Sequence, residues 1–433
     1  MDKNSLMIDI KKKIISSYFK KKRPWHEYFQ TLRFSAIKTF KKKVLTTIDE
    51  WNIPLLNRDY MFSHKTSIEW KDIQPHLLYP TDSSRLVFVN GVYSARFSQP
   101  QDKNISVFSH GLSPEKYVYI IAFYAKLSSS QDGFNAMNTA LAQDVAYIHI
   151  PDGLRVEHPI QIVYFSSGVD SHYTLLFPRN LVILGKGSYA EIIEKHYTLG
   201  SYIPLSNSVT EIYTDAHSHL EYFKIQNDIS KSSLIDQTFI YQKFKSKCSI
   251  STFSFGGKLV RNNLHIYQRD SKGCSKLNGI SILHGEILVD HHTVIEHAYP
   301  NGKSHEIYKG IFDDKAKGVF NGKIIVRKEA KKTDAFQRNN NILLSRKTSV
   351  KTKPHLEIFA DDVRCTHGCT IGQFNEQALF YFRSRGISEK EARAQLMFAF
   401  VQEVLEHIPI PKLKKHLYEI ISKKMNVYLN FYL

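Results

Sequence analysis

One stretch near the C-terminal end gathers the residue types best suited to holding a metal: Asp361-Asp362-Val363-Arg364-Cys365-Thr366-His367-Gly368-Cys369-Thr370-Ile371-Gly372. On an extended strand side chains alternate between faces. Val363, Cys365, His367, Cys369 and Ile371 therefore share one face, with neighbours about 6.6 to 7 Å apart at their Cα atoms. The result is a thiol, imidazole, thiol ladder. Thiolate and imidazole are ligands that iron and its nascent clusters with sulfide accept, and this spacing suits a site completed by another chain better than a closed tetrahedral one. Val363 and Ile371 on the same face also fit a strand turned into a core, where free cysteine behaves as a small hydrophobe. Spacing alone leaves both readings open.

Other candidate chemistry is weaker. His284, His291, His292, His297 and His305 fall within 22 residues, close to Asp290 and Glu296. Imidazoles and carboxylates suit divalent iron or zinc. Yet the chain has 20 histidines, and strand alternation sends His291 and His292 to opposite faces. The balance favours ordinary surface or core histidines. Gly302-Lys303-Ser304 imitates the end of a phosphate-binding loop, but His297 stands where the first glycine is required. No serine-nucleophile elbow, HExxH or dinucleotide fingerprint is present. No self-sufficient catalytic signature is found.

The elements that must position these residues change character along the chain. Phe29, Leu32, Ala36, Phe40, Val44 and Ile48 recur at helical spacing between Trp25 and Glu50, with Pro54 just beyond. From about Val145 to Ile371 short β-rich runs such as Ala146 to Ile150, Ile160 to Phe165, Leu181 to Leu184 and Lys323 to Arg327 are punctuated by Gly, Asn, Asp and Ser. Long helical periods are missing there, which leaves a β-sandwich array or a parallel β-helix. Helical periodicity then returns. Asn375 to Arg385 reads as a helix stopped by Gly386. Ser388 with Glu391 is a capping box opening a second helix, whose stripe of Ala392, Leu396, Phe400 and Val404 runs on toward Pro409. A third is expected from Pro411 to Lys424, burying Leu413, Leu417, Ile420 and Ile421. Helices at both ends would cover the open strand edges of a solenoid. The chain divides accordingly into a helical and mixed region over 1–130, a β-helix core over 131–372 and a helical domain over 373–433.

Composition bounds the setting. Apolar residues at 42% and aromatics at 12% belong to a folded chain. A formal net charge of +18 favours anionic partners in principle, but the lysines lie in short runs (Lys11 to Lys13, Lys20 to Lys22, Lys41 to Lys43, and Lys412 with Lys414 and Lys415) without interleaved aromatics. They read as a solvated face rather than a nucleic-acid site. Four cysteines with no paired framework fit reduced thiols. The longest apolar run, Tyr117 to Ala125, is about half a membrane span. A cytoplasmic protein without membrane contact is expected.

A longer signature surrounds the ligand stretch: Lys353-Pro354-His355-Leu356-Glu357-Ile358-Phe359-Ala360 leads into it, and Gln373 and Phe380-Tyr381-Phe382-Arg383-Ser384-Arg385-Gly386-Ile387 follow. Upstream stand Lys309-Gly310-Ile311, Gly318-Val319-Phe320-Asn321-Gly322, Thr333-Asp334-Ala335, Gln337, Asn339 to Leu344, Phe177-Pro178-Arg179, and Asn138 with Ala140. With these residues the chain, over about 130–410, resembles the SufB/SufD family of iron–sulfur cluster assembly scaffolds. His367-Gly368 before Cys369-Thr370-Ile371-Gly372-Gln373, together with the Ala-Asp-Asp-Val and Arg-Ser-Arg-Gly runs, resembles its SufD branch.

The resemblance implies a mainly β fold, a right-handed parallel β-helix core flanked by helical regions. It implies a non-enzymatic scaffold that pairs with a SufB-like scaffold and docks a SufC-like ABC ATPase; whether the chain forms a homodimer when alone stays open at the sequence level. His367 and Cys365 would be the cluster-assembly and metal-handling residues, whereas Cys369 stands where relatives commonly carry alanine. Phe380, Tyr381, Arg383, Arg385, Leu396 and Phe400 would form the docking helices for the ATPase. No tightly bound cofactor is expected, only transient iron or a nascent cluster at the partner interface. The alternatives are a SufB-like paralogue or a β-helix carbohydrate-active enzyme.

Overall fold

The computed structural model describes residues 27–42, 68–79, 83–101, 105–108, 114–128, 132–168 and 173–425, together with 16, 60 and 61. The expected ends of the first helix, with Val44, Ile48 and Pro54, lie outside these residues, as do the lysine runs at 11–13 and 20–22. The β-rich stretch is a parallel β-helix of about seven turns. Its strands are β1 (Val145–Ile150), β2 (Ile160–Ser167), β3 (Arg179–Leu184), β4 (Tyr189–Leu199), β5 (Ile203–Thr214), β6 (His219–Gln226), β7 (Ser233–Gln242), β8 (Lys247–Ser254), β9 (Leu259–Gln268), β10 (Cys274–Leu283), β11 (Leu288–His297), β12 (Lys303–Phe312), β13 (Lys317–Val326), β14 (Asp334–Leu343), β15 (Ser349–Ile358) and β16 (Arg364–Gly372). Odd strands build the first sheet and even strands the second, each pairing in parallel with its counterpart one coil away.

Stacking puts equivalent side chains into columns. Ile148, Val182, Ile212, Ile240, Ile266, Ile295, Ile324 and Leu356 form one inward column of the first sheet. Branched aliphatics suit the pleated, half-confined surface that each coil offers the next. At successive corners between the sheets, His217, Lys245, Lys272, Asn301, Lys332 and Asp362 adopt left-handed backbone. This conformation costs a non-glycine residue about 1 to 2 kcal/mol. Backbone bonds to the following coil offset that cost, for example from the His217 amide to the Phe244 carbonyl at 2.8 Å and from the Lys332 amide to Asp362 at 2.7 Å.

At the N-terminal end the solenoid is closed. Ile105–Phe108 pairs antiparallel with β1, while Arg85–Val89 joins β2 and is edged by Val92–Tyr93. Helices α1 (Glu27–Lys42), α2 (Pro114–Phe123) and α3 (Gly133–Leu141) cover the outer face of the first sheet. There Phe29, Ile120 and Tyr124 pack with Tyr147, Leu181 and Ile183, and Ile37, Phe40 and Met137 with Leu175 and Leu205.

The C-terminal helices match their sequence signals. In α4 (Glu376–Ser384), Asn375 accepts the Ala378 amide at 3.0 Å, and Gly386 sits at φ +84° beyond the last turn. Ser388 accepts the Glu391 amide at the start of α5 (Glu389–Leu405), and α6 spans Pro411–Lys424. Their position differs from the expectation of an end cap. Met397, Val401, Leu405, Leu413, Leu417 and Ile421 lie flat against the outer face of the second sheet, on Ile193, Phe223, Phe253, Ile280 and Ile307. There the helices bury their apolar stripes against apolar side chains, which strand edges lined by backbone polar groups do not offer. Among the described residues β15 and β16 therefore end their sheets with no further strand. No helix of the described residues is long and apolar enough to cross a membrane.

Candidate ligand site at the open end of the solenoid

Strand β16 is the last rung of the second sheet. Its register sets Cys365, His367, Cys369 and Ile371 opposite Ala335, Gln337, Asn339 and Asn341 of β14, so the alternation expected from the sequence holds. Those β14 residues face the interior, and the thiol, imidazole, thiol ladder is the same inward face carried one coil further. It differs from a core face because nothing lies beyond it among the described residues. His367, Cys369 and Ile371 are exposed, whereas Cys365 is half-buried. Cys365 touches the small cluster of Ile324, Val326, Ala335 and Ala360 that seals the last corner, together with Val363. Burial pushes its thiol above the ordinary range; a backbone contact with Ala335 opposes this and the Asp334 carboxylate adds to it. In the isolated chain Cys365 is thus a protonated thiol at neutral pH, and an incoming metal must displace that proton.

Exposed Ile358 and Phe359, the latter 60% accessible, flank the rim with Ile371. Along β15 and β16 the side turned away from the sheet pairs with no further strand among the described residues. The open end therefore combines backbone valence, apolar contacts and exposed ligand atoms.

The histidine-rich stretch does not converge. His291 lies inside, bonded to Asn262 and Ser281, and burial lowers it to about 4. His297, also lowered to about 4 by burial, is held by Gln268 and Ser304. His292 faces outward near Asp290, His284 lies at a corner 3.8 Å from Asp313, and His305 stacks on Phe336 outside the second sheet. No group of three or more His, Cys, Asp or Glu residues able to hold a metal occurs among the described residues. Gly302-Lys303-Ser304 enters strand β12 directly, with no helix behind it.

Polar residues inside the solenoid escaped the sequence reading. In the middle coils, Lys224 lies 2.5 Å from Asp236 and 3.6 Å from Glu194, which also accepts from Tyr222 and contacts His196 at 2.8 Å. Against its burial, Lys224 and His196 hold Glu194 at about 2. Nearer the open end, Glu306 is fully buried and accepts from the Gln337 amide at 2.7 Å. Burial pushes it up to about 7, opposed by Gln337 and Thr293. The readable signal was parity: these residues share the inward face of their strands with core residues such as Ile192, Tyr222, Ile240 and Tyr308.

The proposed docking residues separate into two groups. Phe380, which is 74% accessible, lies on α4 with Tyr381 and Arg383, all exposed, and Arg385 at its end stacks on the Tyr381 ring at 5.3 Å. Leu396 and Phe400 belong to α5 and are half-buried. Lys309 fixes Phe400 to the solenoid, donating to its carbonyl at 2.7 Å, lying 4.9 Å from its ring and pairing with Glu403 at 2.6 Å.

Comparison with known proteins adds the relatives. Residues 26–162 match the model of the SufBD protein N-terminal region, and residues 165–400 that of the SUF system FeS cluster assembly SufBD core domain. An iron–sulfur cluster assembly SufBD family protein of Synechocystis is 29% identical over 86% of each chain. The iron–sulfur cluster assembly protein SufD of Escherichia coli is 28% identical over 79% of this chain and 80% of its own. A chloroplastic protein of Arabidopsis thaliana, ABCI7, is 30% identical over 77% and 72%.

Proposed function

Since the chain belongs to the SufBD family of SUF-system iron–sulfur cluster assembly proteins, we propose that it is a SufD-type scaffold. In this reading it pairs with a SufB-like scaffold through the open end of its solenoid, and a SufC-like ABC ATPase docks on its C-terminal helices. The observation that carries this is the coincidence at one place of two unpaired strand edges, an apolar rim and an exposed His367. A partner adding strands to β15 and β16 would satisfy the edge backbone and bring its own ligands to His367 and Cys365. Iron or a nascent cluster is then cargo held between two chains, not a resident cofactor. ATP hydrolysis belongs to the ATPase partner, and the complex works in the reducing cytoplasm.

The test is co-expression with SufB-like and SufC-like partners, purification, and assay of iron and acid-labile sulfide. A stoichiometric complex carrying iron and sulfide is expected. His367→Ala should leave the complex assembled and reduce both contents sharply; Cys365→Ser should do so more mildly. Wild-type cluster content in an intact His367→Ala complex would return this histidine to a structural role.

A further inference from the structure

One inward column of the second sheet changes character as it nears the open end. It reads Ile160, Ile192, Tyr222, Ile250, Leu277, Glu306, Gln337, His367. Five aliphatic or aromatic rungs give way to three polar ones. Glu306 and Gln337 are both fully buried.

The amide of Gln337 is committed at one end only. Its Nε2 donates to Glu306 Oε2 at 2.7 Å, and with Glu306 ionised only the amide nitrogen can make that contact, which sets the way the group points. Gln337 Oε1 then has no hydrogen-bond partner among the described residues, although it is buried. Room for this arrangement comes from Gly322 on the facing sheet, where a Cβ would stand 2.3 Å from Gln337 Nε2. The next side chain in the column is His367, one strand spacing of about 4.8 Å further on.

We propose that Glu306 and Gln337 are positioning residues for His367, the carboxyl orienting the amide so that Gln337 Oε1 accepts a ring N–H of His367. The other ring nitrogen then keeps its lone pair and faces the open end as a ligand. An imidazole can do this in only one tautomer, and fixing the tautomer through the distal nitrogen is how outer partners orient metal-binding histidines. The inference rests on the reading of His367 as an assembly-site residue. It adds why the ladder below that residue is polar and why glycine faces it.

The experiment uses the full chain in its purified complex, labelled with nitrogen-15 at histidine, with the His367 signal assigned by its loss in His367→Ala. One dominant His367 tautomer is expected in the wild type. Gln337→Met, which keeps volume and removes both amide ends, should convert it to the mixture of a free imidazole. Iron content should fall by about tenfold, as for loss of other outer partners. Gly322→Ala should have the same effect by displacing the amide. Glu306→Gln keeps an oxygen for the Gln337 N–H and should preserve the wild-type tautomer, which a general weakening of the core would not do. An unchanged tautomer, or unchanged iron content in an assembled Gln337→Met complex, would overturn the inference. Retained cluster content in His367→Ala would instead overturn the reading on which it rests.

Discussion

Arg179 and Glu211 show how a short motif can serve the fold rather than the site. Both side chains are fully buried and form an ion pair. Arg179 also donates to Asn138 and Thr139, each at 3.1 Å, while Glu211 accepts the amides of Ala125, Leu127 and Ser128. The pair thereby ties α3 and the end of α2 to strands β3 and β5. Removing one partner leaves an uncompensated buried charge, which typically costs about 3 to 5 kcal/mol. Arg179→Met should therefore lower the urea midpoint strongly. The double variant Arg179→Met with Glu211→Gln should recover part of the loss, because no full charge is left buried. A single variant as stable as the wild type would show that the pair contributes nothing. His367 is the opposite case. It is exposed, so His367→Ala should leave the urea midpoint nearly unchanged while sharply reducing cluster content.

At the scale of elements, the C-terminal helices divide into an anchored part and a presented part. Helix α6 meets the second sheet where Lys195 Nζ lies 3.3 Å from His416 Nε2. Burial lowers Lys195 to about 7, and burial together with the nearby lysines lowers His416 to about 4. An unfolded lysine holds its proton up to about pH 10.4, whereas here it is released near 7. The unfolded state therefore binds more protons in between, and stability should rise with pH across that window. Thermal melts should show this rise between pH 7 and 9, and Lys195→Met should flatten it; an equally steep rise in the variant would place its origin elsewhere. Helix α4, by contrast, presents Phe380 and Tyr381 to solvent. Their joint replacement by alanine should leave the melting temperature unchanged and weaken binding of the ATPase partner by at least about tenfold, the scale of an aromatic hot spot. Truncation after Ile371 is a poorer test, since it would also bare the apolar face under α5 and α6.

For the whole molecule, the asymmetry between its two ends matters most. One end is closed by antiparallel strands and the other stops at β15 and β16. Open parallel edges with an apolar rim invite pairing with another chain. In the absence of its partner the chain should self-associate through this end, and sedimentation should report a homodimer. Ile371→Lys combined with Phe359→Glu should shift it to monomer without loss of fold, because charges on an edge oppose strand pairing. A dimer that persists in this variant would mean that another surface is used.

Much of this was legible in the residues themselves. Short β-rich runs without helical periods narrowed the core to two architectures, and the family signature chose the β-helix. The capping box at Ser388 and the stop at Gly386 placed the last helices because these signals are local, written within a few residues of the backbone groups they satisfy. Alternation likewise put Cys365, His367 and Cys369 on one face. Whether that face met a core or an opening was decided only by stacking, since the answer depends on whether another coil follows. The same holds for Glu306, Gln337 and Gly322, which stand on three separate strands and meet only because coils pair in register. The apolar stripe of α5 marked a buried face, but only the solenoid determined that the second sheet's flank, and not the open strand edges, would bury it.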